Sequence, residues 1–297
     1  MGPFFVTFVK MKRVGPWIRR AAGVLLLGAC AGLVSCGTAG NDTGSPSAFS
    51  TADSWSAQRL LHAGGMSHQR QMGTGYTPPP TIRNTRIGAL FNHDASGDHF
   101  CTASVVQSPG KDLIVTAAHC IHGGRGGTYK SDIVFVPSYR DGIAPRGEWH
   151  VKRLVVDQRW IDSSDPDLDV GFVVLQPLGG QHIEDILGAN RLGDTSGVGR
   201  KVKLTGYPSN GSEPISCYNV TTRQSASQLR IACTGFPGGT SGSPWLTGFD
   251  PLTRTGTIIG VIGGYQGGGN TPDVSYSPVF GQEVHALYTK AAVSDGL

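Results

Sequence analysis

The sequence has few charged residues, since Asp, Glu, Lys and Arg make up only 15% of its 297 residues. Such a low charge content argues against long, solvated helices. Glycine is abundant by contrast, with 44 residues, and glycine marks turns and loops. The composition therefore favours short strands joined by many turns, and the length suggests about two domains.

Several functional patterns are also missing. The full chain has a net charge of +4, much of it from basic residues before residue 21, and the body has no run of lysine or arginine, so nucleic-acid binding is not supported. The sequence contains no His-Glu-x-x-His motif, no Cys-x-x-Cys spacing and no acidic calcium loop. We therefore predict no nucleic-acid partner, no metal and no cofactor.

The apolar stretch from Ala21 to Ser35 is shorter than the roughly 20 residues that a comfortable membrane span needs. Because basic residues precede it, we predict that residues 1–36 are an export signal. The residues Leu33-Val34-Ser35-Cys36 resemble a bacterial lipobox, in which a lipid on Cys36 would tether the protein to the outer face of a membrane. The alternative is cleavage near Ala39 and free secretion.

Two further features concern the exported part of the chain. Residues 37–85 are rich in Gly, Ser, Thr and Pro, which predicts a disordered linker or pro-segment. The body beyond them holds four cysteines, which in an exported protein predict two disulfides with three possible pairings. These cysteines are Cys101, Cys120, Cys217 and Cys233.

Short runs rich in β-branched residues alternate with turn residues from Ile87 onward, which predicts an all-β barrel architecture. Residues 282–292 could form a short closing helix. Twelve strands are predicted: 87–91, 101–106, 112–116, 133–137, 150–156, 170–175, 201–207, 216–221, 228–233, 243–246, 257–262 and 275–280.

Three local contexts carry residues suited to nucleophilic catalysis. Ser241 lies within Gly238-Gly239-Thr240-Ser241-Gly242-Ser243-Pro244, where glycines could let backbone N–H groups of Gly239 and Ser241 converge on an oxyanion. His119 ends the run Thr116-Ala117-Ala118-His119-Cys120, and Asp169 directly precedes an apolar strand. Serine needs a base to become a nucleophile, and the chain order His, Asp, Ser is a known triad order. The rivals within these contexts are Ser243, His122, Asp165 and Asp167.

All three contexts resemble the trypsin/chymotrypsin-like serine peptidases, and Gly-Thr-Ser-Gly-Ser-Pro resembles their bacterial, glutamyl-endopeptidase-like branch. The resemblance spans about residues 86–291. It implies two six-stranded antiparallel β-barrels, with the first over 86–190 and the second, including the closing helix, over 191–297. It also implies a catalytic triad of His119, Asp169 and Ser241 in the cleft between them. It favours a Cys101–Cys120 disulfide, which would leave Cys217 to pair with Cys233.

The specificity residues depart from those of trypsin. Gly235, six residues before Ser241, occupies the place at the base of the pocket where trypsin-like enzymes hold an acid for Arg or Lys. The later wall strand lacks the histidine of glutamate-specific relatives. We expect Gly263, Gly264 and Tyr265 to pair with the substrate backbone. These features predict a small or apolar residue at the cleaved bond.

The activation mechanism of trypsin is not expected either. Thr240 replaces the aspartate that would pair with a newly cut N-terminus, so Arg86-Ile87 is interpreted as the start of a strand rather than as an activation site. The predicted function is an exported, monomeric serine endopeptidase that acts on polypeptides. The alternative is a catalytically silent peptidase fold that serves as a binding module at the cell surface.

Overall fold

The computed structural model describes residues 71–81, 84–94, 97–193, 197–250, 252–253 and 255–293. The predicted export signal, the lipidation site Cys36 and residues 37–70 of the predicted linker lie outside these ranges. None of the described helices is long and apolar enough to cross a membrane.

The first half is a closed barrel of six antiparallel strands, in the order β1-β2-β3-β6-β5-β4. It closes because β1 pairs with both β2 and β4. The six strands lie close to the predicted runs: β1 Ile87–Asp94, β2 Gly97–Val105, β3 Leu113–Thr116, β4 Val134–Pro137, β5 Trp149–Val156 and β6 Gly171–Leu175. The predicted first barrel is therefore confirmed.

The second half arranges its described strands in a five-stranded sheet, β7-β13-β12-β8-β9, and a three-stranded sheet, β10-β11-β14. All pairs are antiparallel except β7 with β13. The strands are β7 Arg191–Leu192, β8 Lys201–Gly206, β9 Ile215–Val220, β10 Thr222–Arg223, β11 Gln228–Ala232, β12 Pro244–Asp250, β13 Thr255–Val261 and β14 Val274–Pro278.

Among the described residues, three α-helices join or close the sheets: α1 Gln158–Ser163, α2 Ile183–Leu187 and α3 Gln282–Ala292. The closing helix α3 has the predicted bounds, whereas the sequence pattern does not predict the one-turn helices α1 and α2 or the two-residue strands β7 and β10. Elements this short contain too few residues to show a period.

Alternation along the strands divides the core into three clusters. In β3, Ile114 packs inside the closed barrel, whereas its neighbours Leu113 and Val115 face the other side. This second cluster includes Leu246, Val261 and other residues of the second half and helix α3, so it joins the two halves. The third cluster fills the second half. The two halves therefore share part of their hydrophobic core.

One predicted boundary changes. The end of the predicted linker is folded onto the body: Tyr76 exchanges two backbone hydrogen bonds with Ser216 of β9, at 2.9 and 2.7 Å. Gly73 accepts a hydrogen bond from the N–H of Thr234 at 2.8 Å, and the Tyr76 and Tyr218 rings stack. The described part of this segment is thus held by strand-like pairing, a long-range contact that its Gly- and Pro-rich composition does not reveal.

Candidate active site

His119 and Asp169 form a tightly bonded pair. His119 Nδ1 and Asp169 Oδ2 are 2.7 Å apart, and the backbone N–H of His119 donates to Asp169 Oδ1 at 2.9 Å. The N–H of Gly264 donates to Asp169 Oδ2 at 2.8 Å. A carboxylate with these partners holds the imidazole in one orientation and one tautomer, the arrangement required of a general base.

Short 3-10 turns place both members of this pair. His119 lies in the turn Ala118–Cys120 after β3, and Asp169 ends the turn Pro166–Leu168 before β6. Because β3 and β6 are neighbouring antiparallel strands, with Thr116 opposite Gly171, the two turns meet at one end of the barrel. The Asp165 side chain accepts from the N–H of Asp167, which gives this rival a turn-forming role.

Burial and charge act on the pair in opposite directions. Burial lowers the pKa of His119, but the charge of Asp169 and its hydrogen bond raise it, so the net pKa lies above the ordinary value. Burial raises the pKa of Asp169, whereas His119 and the N–H groups of Gly264 and His119 lower it, so the net pKa lies below its ordinary value. Asp169 is 1% exposed and the His119 side chain is 29% exposed. The imidazole of His119 therefore keeps an accessible edge, whereas the carboxylate of Asp169 is buried.

Ser241 is held against the first barrel through its backbone. Its carbonyl accepts a hydrogen bond from the N–H of Thr102 at 2.7 Å, and Gly242 donates to Ile262 at 2.7 Å. Gly242 has a φ of 81°, and an added Cβ would lie 2.1 Å from the Thr102 carbonyl oxygen. Only glycine fits this approach. The Ser241 hydroxyl makes no hydrogen bond to another described residue.

The rival Ser243 is fully buried and donates its hydroxyl to the Thr240 carbonyl at 2.6 Å. Thr240 is also buried, and its own hydroxyl donates to the Pro237 carbonyl at 2.6 Å. These two bonds stay within the loop, so the loop is stabilised without the ion pair that an aspartate at position 240 would make.

One hydrogen bond fixes the orientation of the peptide between Gly238 and Gly239, the first of the two predicted oxyanion donors. The Gly238 carbonyl accepts from the N–H of Ser209 at 2.8 Å. In a trans peptide the C=O and N–H bonds point in opposite directions, so this bond aims the Gly239 N–H away from Ser209. Within the described part of the chain, the N–H groups of Gly239 and Ser241 have no acceptor. Both are therefore available to a ligand.

The predicted substrate-binding residues Gly263, Gly264 and Tyr265 donate their backbone N–H groups to partners within the protein. The N–H of Gly263 donates to Tyr276 at 3.0 Å, that of Gly264 to Asp169, and that of Tyr265 to Gln228 at 3.0 Å. These N–H groups are thus engaged within the protein, and a substrate strand would have to use carbonyl groups here. Tyr265 packs edge-on against Tyr276 and is 41% exposed.

Gly235 lies in an exposed turn with a φ of 84°. An added Cβ there would meet only the Ile215 side chain, at 3.9 Å. The space beside Gly235 is therefore open and its nearest side-chain neighbour is apolar.

Arg86 and Ile87 do not form an accessible activation site. Arg86 is 7% exposed and Ile87 is 1% exposed. The side-chain Nε of Arg86 donates to the Leu187 carbonyl at 3.0 Å. The backbone carbonyl of Arg86 accepts from the N–H of Val105 at 2.8 Å. This bond is therefore part of the folded barrel, as the interpretation as a strand start requires.

Both predicted disulfides are present, Cys101–Cys120 and Cys217–Cys233. The first joins the residue before Thr102 to the residue after His119, so it links the strand that holds Ser241 to the turn that holds the base. Among the described residues, the two Sγ atoms of Cys101 and Cys120 and a ring nitrogen of His119 lie within 4.8 Å of one another, close enough to ligate one metal ion. The two sulfur atoms are bonded to each other, so they offer no thiolate to a metal.

The sequence pattern misses two polar residues that organise this site. The Thr102 hydroxyl accepts from the N–H of Tyr207 at 2.9 Å and donates to the Gly239 carbonyl at 3.2 Å. Gln228, at the start of β11, contacts both the Asp169 turn and Tyr265. Their positions within apolar strands are a weak signal, because buried polar side chains need partners.

Comparisons with known proteins agree with this geometry. Residues 101–275 match the family model of the trypsin-like peptidase domain. The structure is similar to that of the protease Anisep from Arthrobacter nicotinovorans, with a TM-score of 0.66 and 28% identity over 74% of this chain and 100% of the other. It is also similar to the thermostable serine protease AL20 from an extremophilic microorganism, with a TM-score of 0.65 and 30% identity over 72% of this chain and 100% of that one.

A Glu endopeptidase structure shares the fold, with a TM-score of 0.61 at 17% identity over 76% of this chain and 99% of the other. The search of curated proteins finds no match. The family model covers more than half of the chain, and the first two proteases are matched over their whole length. The chain therefore belongs to the trypsin-like serine peptidase family and has its chymotrypsin-like fold.

Proposed function

We propose that this protein is an exported serine endopeptidase that cleaves polypeptides through a Ser241–His119–Asp169 triad. The observation that carries the proposal is the doubly bonded His119–Asp169 pair. The Ser241 loop packs against the residues that precede His119, since a Cβ on Gly242 would lie 3.1 Å from Ala117 N, and the Ser241 hydroxyl bonds to no described residue. A buried carboxylate on Nδ1 leaves Nε2 as the basic nitrogen of the imidazole, at the edge where His119 is accessible.

In the proposed reaction, Ser241 Oγ attacks the scissile carbonyl while His119 removes its proton. The N–H groups of Gly239 and Ser241 stabilise the oxyanion, and His119 then protonates the leaving amine. The acyl-enzyme ester on Ser241 is hydrolysed by water, for which His119 again acts as the base. Asp169 stays ionised throughout and stabilises the imidazolium, in keeping with its lowered pKa.

The proposed preference at the cleaved residue is small or apolar. The open space beside Gly235 with the Ile215 methyl as its nearest neighbour supports this preference, because no acid occupies position 235 to pair with Arg or Lys. A cleavage profile over a peptide library dominated by Arg, Lys or Glu would contradict it.

Export is supported by the two disulfides, which form and persist outside the reducing cytosol. We propose that the protein acts as a monomer outside the cytoplasm, either secreted or tethered through a lipid on Cys36. The mass of the exported chain distinguishes these two forms, because the tethered form would begin at a lipid-bearing Cys36.

The test is intact-protein mass spectrometry after reaction with a fluorophosphonate probe, which labels activated serines. Wild type and Ser243→Ala should gain one probe mass, whereas Ser241→Ala should gain none. Labelling of Ser241→Ala would refute the assignment of the nucleophile. A folded wild type that is not labelled would favour the alternative, a silent peptidase fold that binds polypeptides.

A further inference from the structure

Gln228 occupies a buried position between two loops that meet at Asp169. It is the first residue of β11 and is 4% exposed. Its side-chain Nε2 donates to the Pro166 carbonyl at 3.0 Å and to Asp167 Oδ1 at 2.7 Å. Its Oε1 accepts from the backbone N–H of Tyr265 at 3.0 Å. The amide therefore uses both its donor and its acceptor group.

Both loops that Gln228 contacts also determine the surroundings of Asp169. Residues Pro166 and Asp167 belong to the turn that directly precedes it. In the second loop, the N–H of Gly264 donates to Asp169 Oδ2, and the N–H of the next residue, Tyr265, donates to Gln228. Displacing Tyr265 from Gln228 would therefore also displace the Gly264 donor from Asp169.

Close packing leaves this arrangement little freedom. A Cβ built on Gly264 would lie 2.4 Å from Gln228 Oε1, and Gly264 has a φ of 80°. Glycine is needed here because the backbone turns directly against the glutamine amide. The position of the segment Gly264–Tyr265 is thus defined by the side chain of residue 228.

We propose that Gln228 is a positioning residue that aligns the Asp169 turn with the segment Gly264–Tyr265. It thereby couples the orientation of His119 to the position of this predicted substrate-binding segment. This inference rests on the proposed function. Because the segment holds a donor to Asp169 and also the exposed ring of Tyr265, loss of Gln228 should change both kcat and KM. Misplacement by about 1 Å near a reacting centre costs roughly 100-fold.

The first experiment compares Gln228→Ala with wild type and with Gln176→Ala. Gln176 is a matched control, since its Nε2 also donates to a backbone carbonyl, that of Val151 at 3.0 Å, but on the exposed surface of the first barrel. We expect kcat/KM of Gln228→Ala, per probe-labelled serine, to fall about 10- to 100-fold. Gln176→Ala should match wild type.

The second variant, Gln228→Glu, gives a signature that general destabilisation would not produce. An ionised carboxylate at position 228 lacks the N–H donor and faces the carboxylate of Asp167. The other charged groups nearby are Asp165, which accepts from the N–H of Asp167, and the Asp169–His119 pair, to which Gly264 donates. The backbone N–H of Tyr265 donates to residue 228, and the Tyr265 ring contacts that of Tyr276. Protonation restores a donor, so the activity of Gln228→Glu relative to wild type should rise as pH falls. The same ratio for Gln228→Ala should stay flat.

The outcomes separate this inference from the proposed function. If wild type turns over and Gln228→Ala has the same kcat and KM per labelled serine, the inference is wrong. It is also wrong if only the labelled fraction falls. If wild type neither reacts with the probe nor turns over substrate, the proposed function fails. The NMR proton resonance of the His119–Asp169 hydrogen bond then tests the positioning role of Gln228 by itself. Loss of this resonance in Gln228→Ala supports that role, and an unchanged resonance refutes it.

Discussion

The two halves of the molecule hold their parts of the site by different means. In the closed barrel, side chains do this: Asp169 binds the ring and backbone of His119, and a disulfide follows the histidine. In the second half, backbone hydrogen bonds hold the Ser241 loop: the Ser241 carbonyl accepts from Thr102, and Gly242 donates to Ile262. Gly239 and Gly242 in this loop have φ values of 90° and 81°. One half therefore depends on charge and tautomer, and the other on backbone conformations that favour glycine.

This difference makes the two halves sensitive to different substitutions. In the first half, removing the charge of Asp169 without changing its shape should disable the proposed base His119 and leave the proposed nucleophile Ser241 in place. A single added methyl group should disable the oxyanion site without changing the pKa of the base. Three experiments of decreasing expected effect test this contrast.

The largest effect is expected for Asp169→Asn. This substitution keeps the shape but removes the charge and the acceptor that fix the histidine tautomer, which lowers kcat by about 10⁴-fold in triads of this kind. The charge of Asp169 raises the pKa of His119 against the effect of burial, so its removal should lower that pKa. His119 would then stay neutral to lower pH, and the acid limb of kcat/KM should move to lower pH.

The control for this variant is Asp165→Asn. Asparagine at position 165 can still accept from the N–H of Asp167, so both kcat and the acid limb should stay at the wild-type values. A pH–rate profile of all three proteins checks the prediction. An acid limb of Asp169→Asn that coincides with that of wild type would contradict the assigned partner of His119.

An intermediate effect is expected for Gly239→Ala. The added Cβ would lie 2.6 Å from Ser209 N and 2.7 Å from the Tyr207 carbonyl oxygen, so the peptide that presents the Gly239 N–H must shift. Loss of one oxyanion donor costs about 10²- to 10³-fold in kcat. Steady-state kinetics should show this loss with an unchanged acid limb, because the base is untouched.

Gly248→Ala is the matched control, since Gly248 also has a positive φ, of 57°, but an added Cβ there has no neighbour within 4 Å among the described residues. This variant should show backbone strain as a small loss of stability and no loss of kcat. If both glycine variants lost kcat equally, general strain rather than the oxyanion site would explain the effect.

The smallest effect on chemistry is expected from the disulfides, which sharpen the contrast. The sequence separations of 19 and 16 are similar, so replacing either cysteine pair by serines should lower the free energy of unfolding by a similar amount, about 3 kcal/mol. Only Cys101–Cys120 links the strand beside Ser241 to the His119 turn. Its removal should therefore also lower kcat several-fold.

Denaturant unfolding and probe-titrated kinetics of both double variants check this prediction, with Cys217–Cys233 as the control for stability alone. Equal losses of kcat in the two variants would show that the first disulfide has no particular role at the site. A stability loss confined to one variant would contradict the loop-closure argument.

The sequence alone determined those features whose cause is local. Apolar, β-branched runs between turn residues predicted the six strands of the first barrel closely, and the predicted closing helix has the bounds of α3. The contexts of His119, Asp169 and Ser241 identified the family, and the family resemblance implied the observed disulfide pairing. These patterns reside in neighbouring residues, so they can be read without a fold.

Only the tertiary structure decided which distant segments meet. The hydrogen bond from Thr102 to Ser241, the Gln228 contacts to the Asp169 turn and Tyr265, and the docking of Tyr76 on Ser216 all join residues far apart in the chain. The structure also shows which distant residues accept from the N–H groups of Gly263–Tyr265, and it leaves substrate pairing here as a prediction. A buried polar group must find a partner, but its sequence neighbours do not identify that partner, because the choice depends on packing of the whole fold.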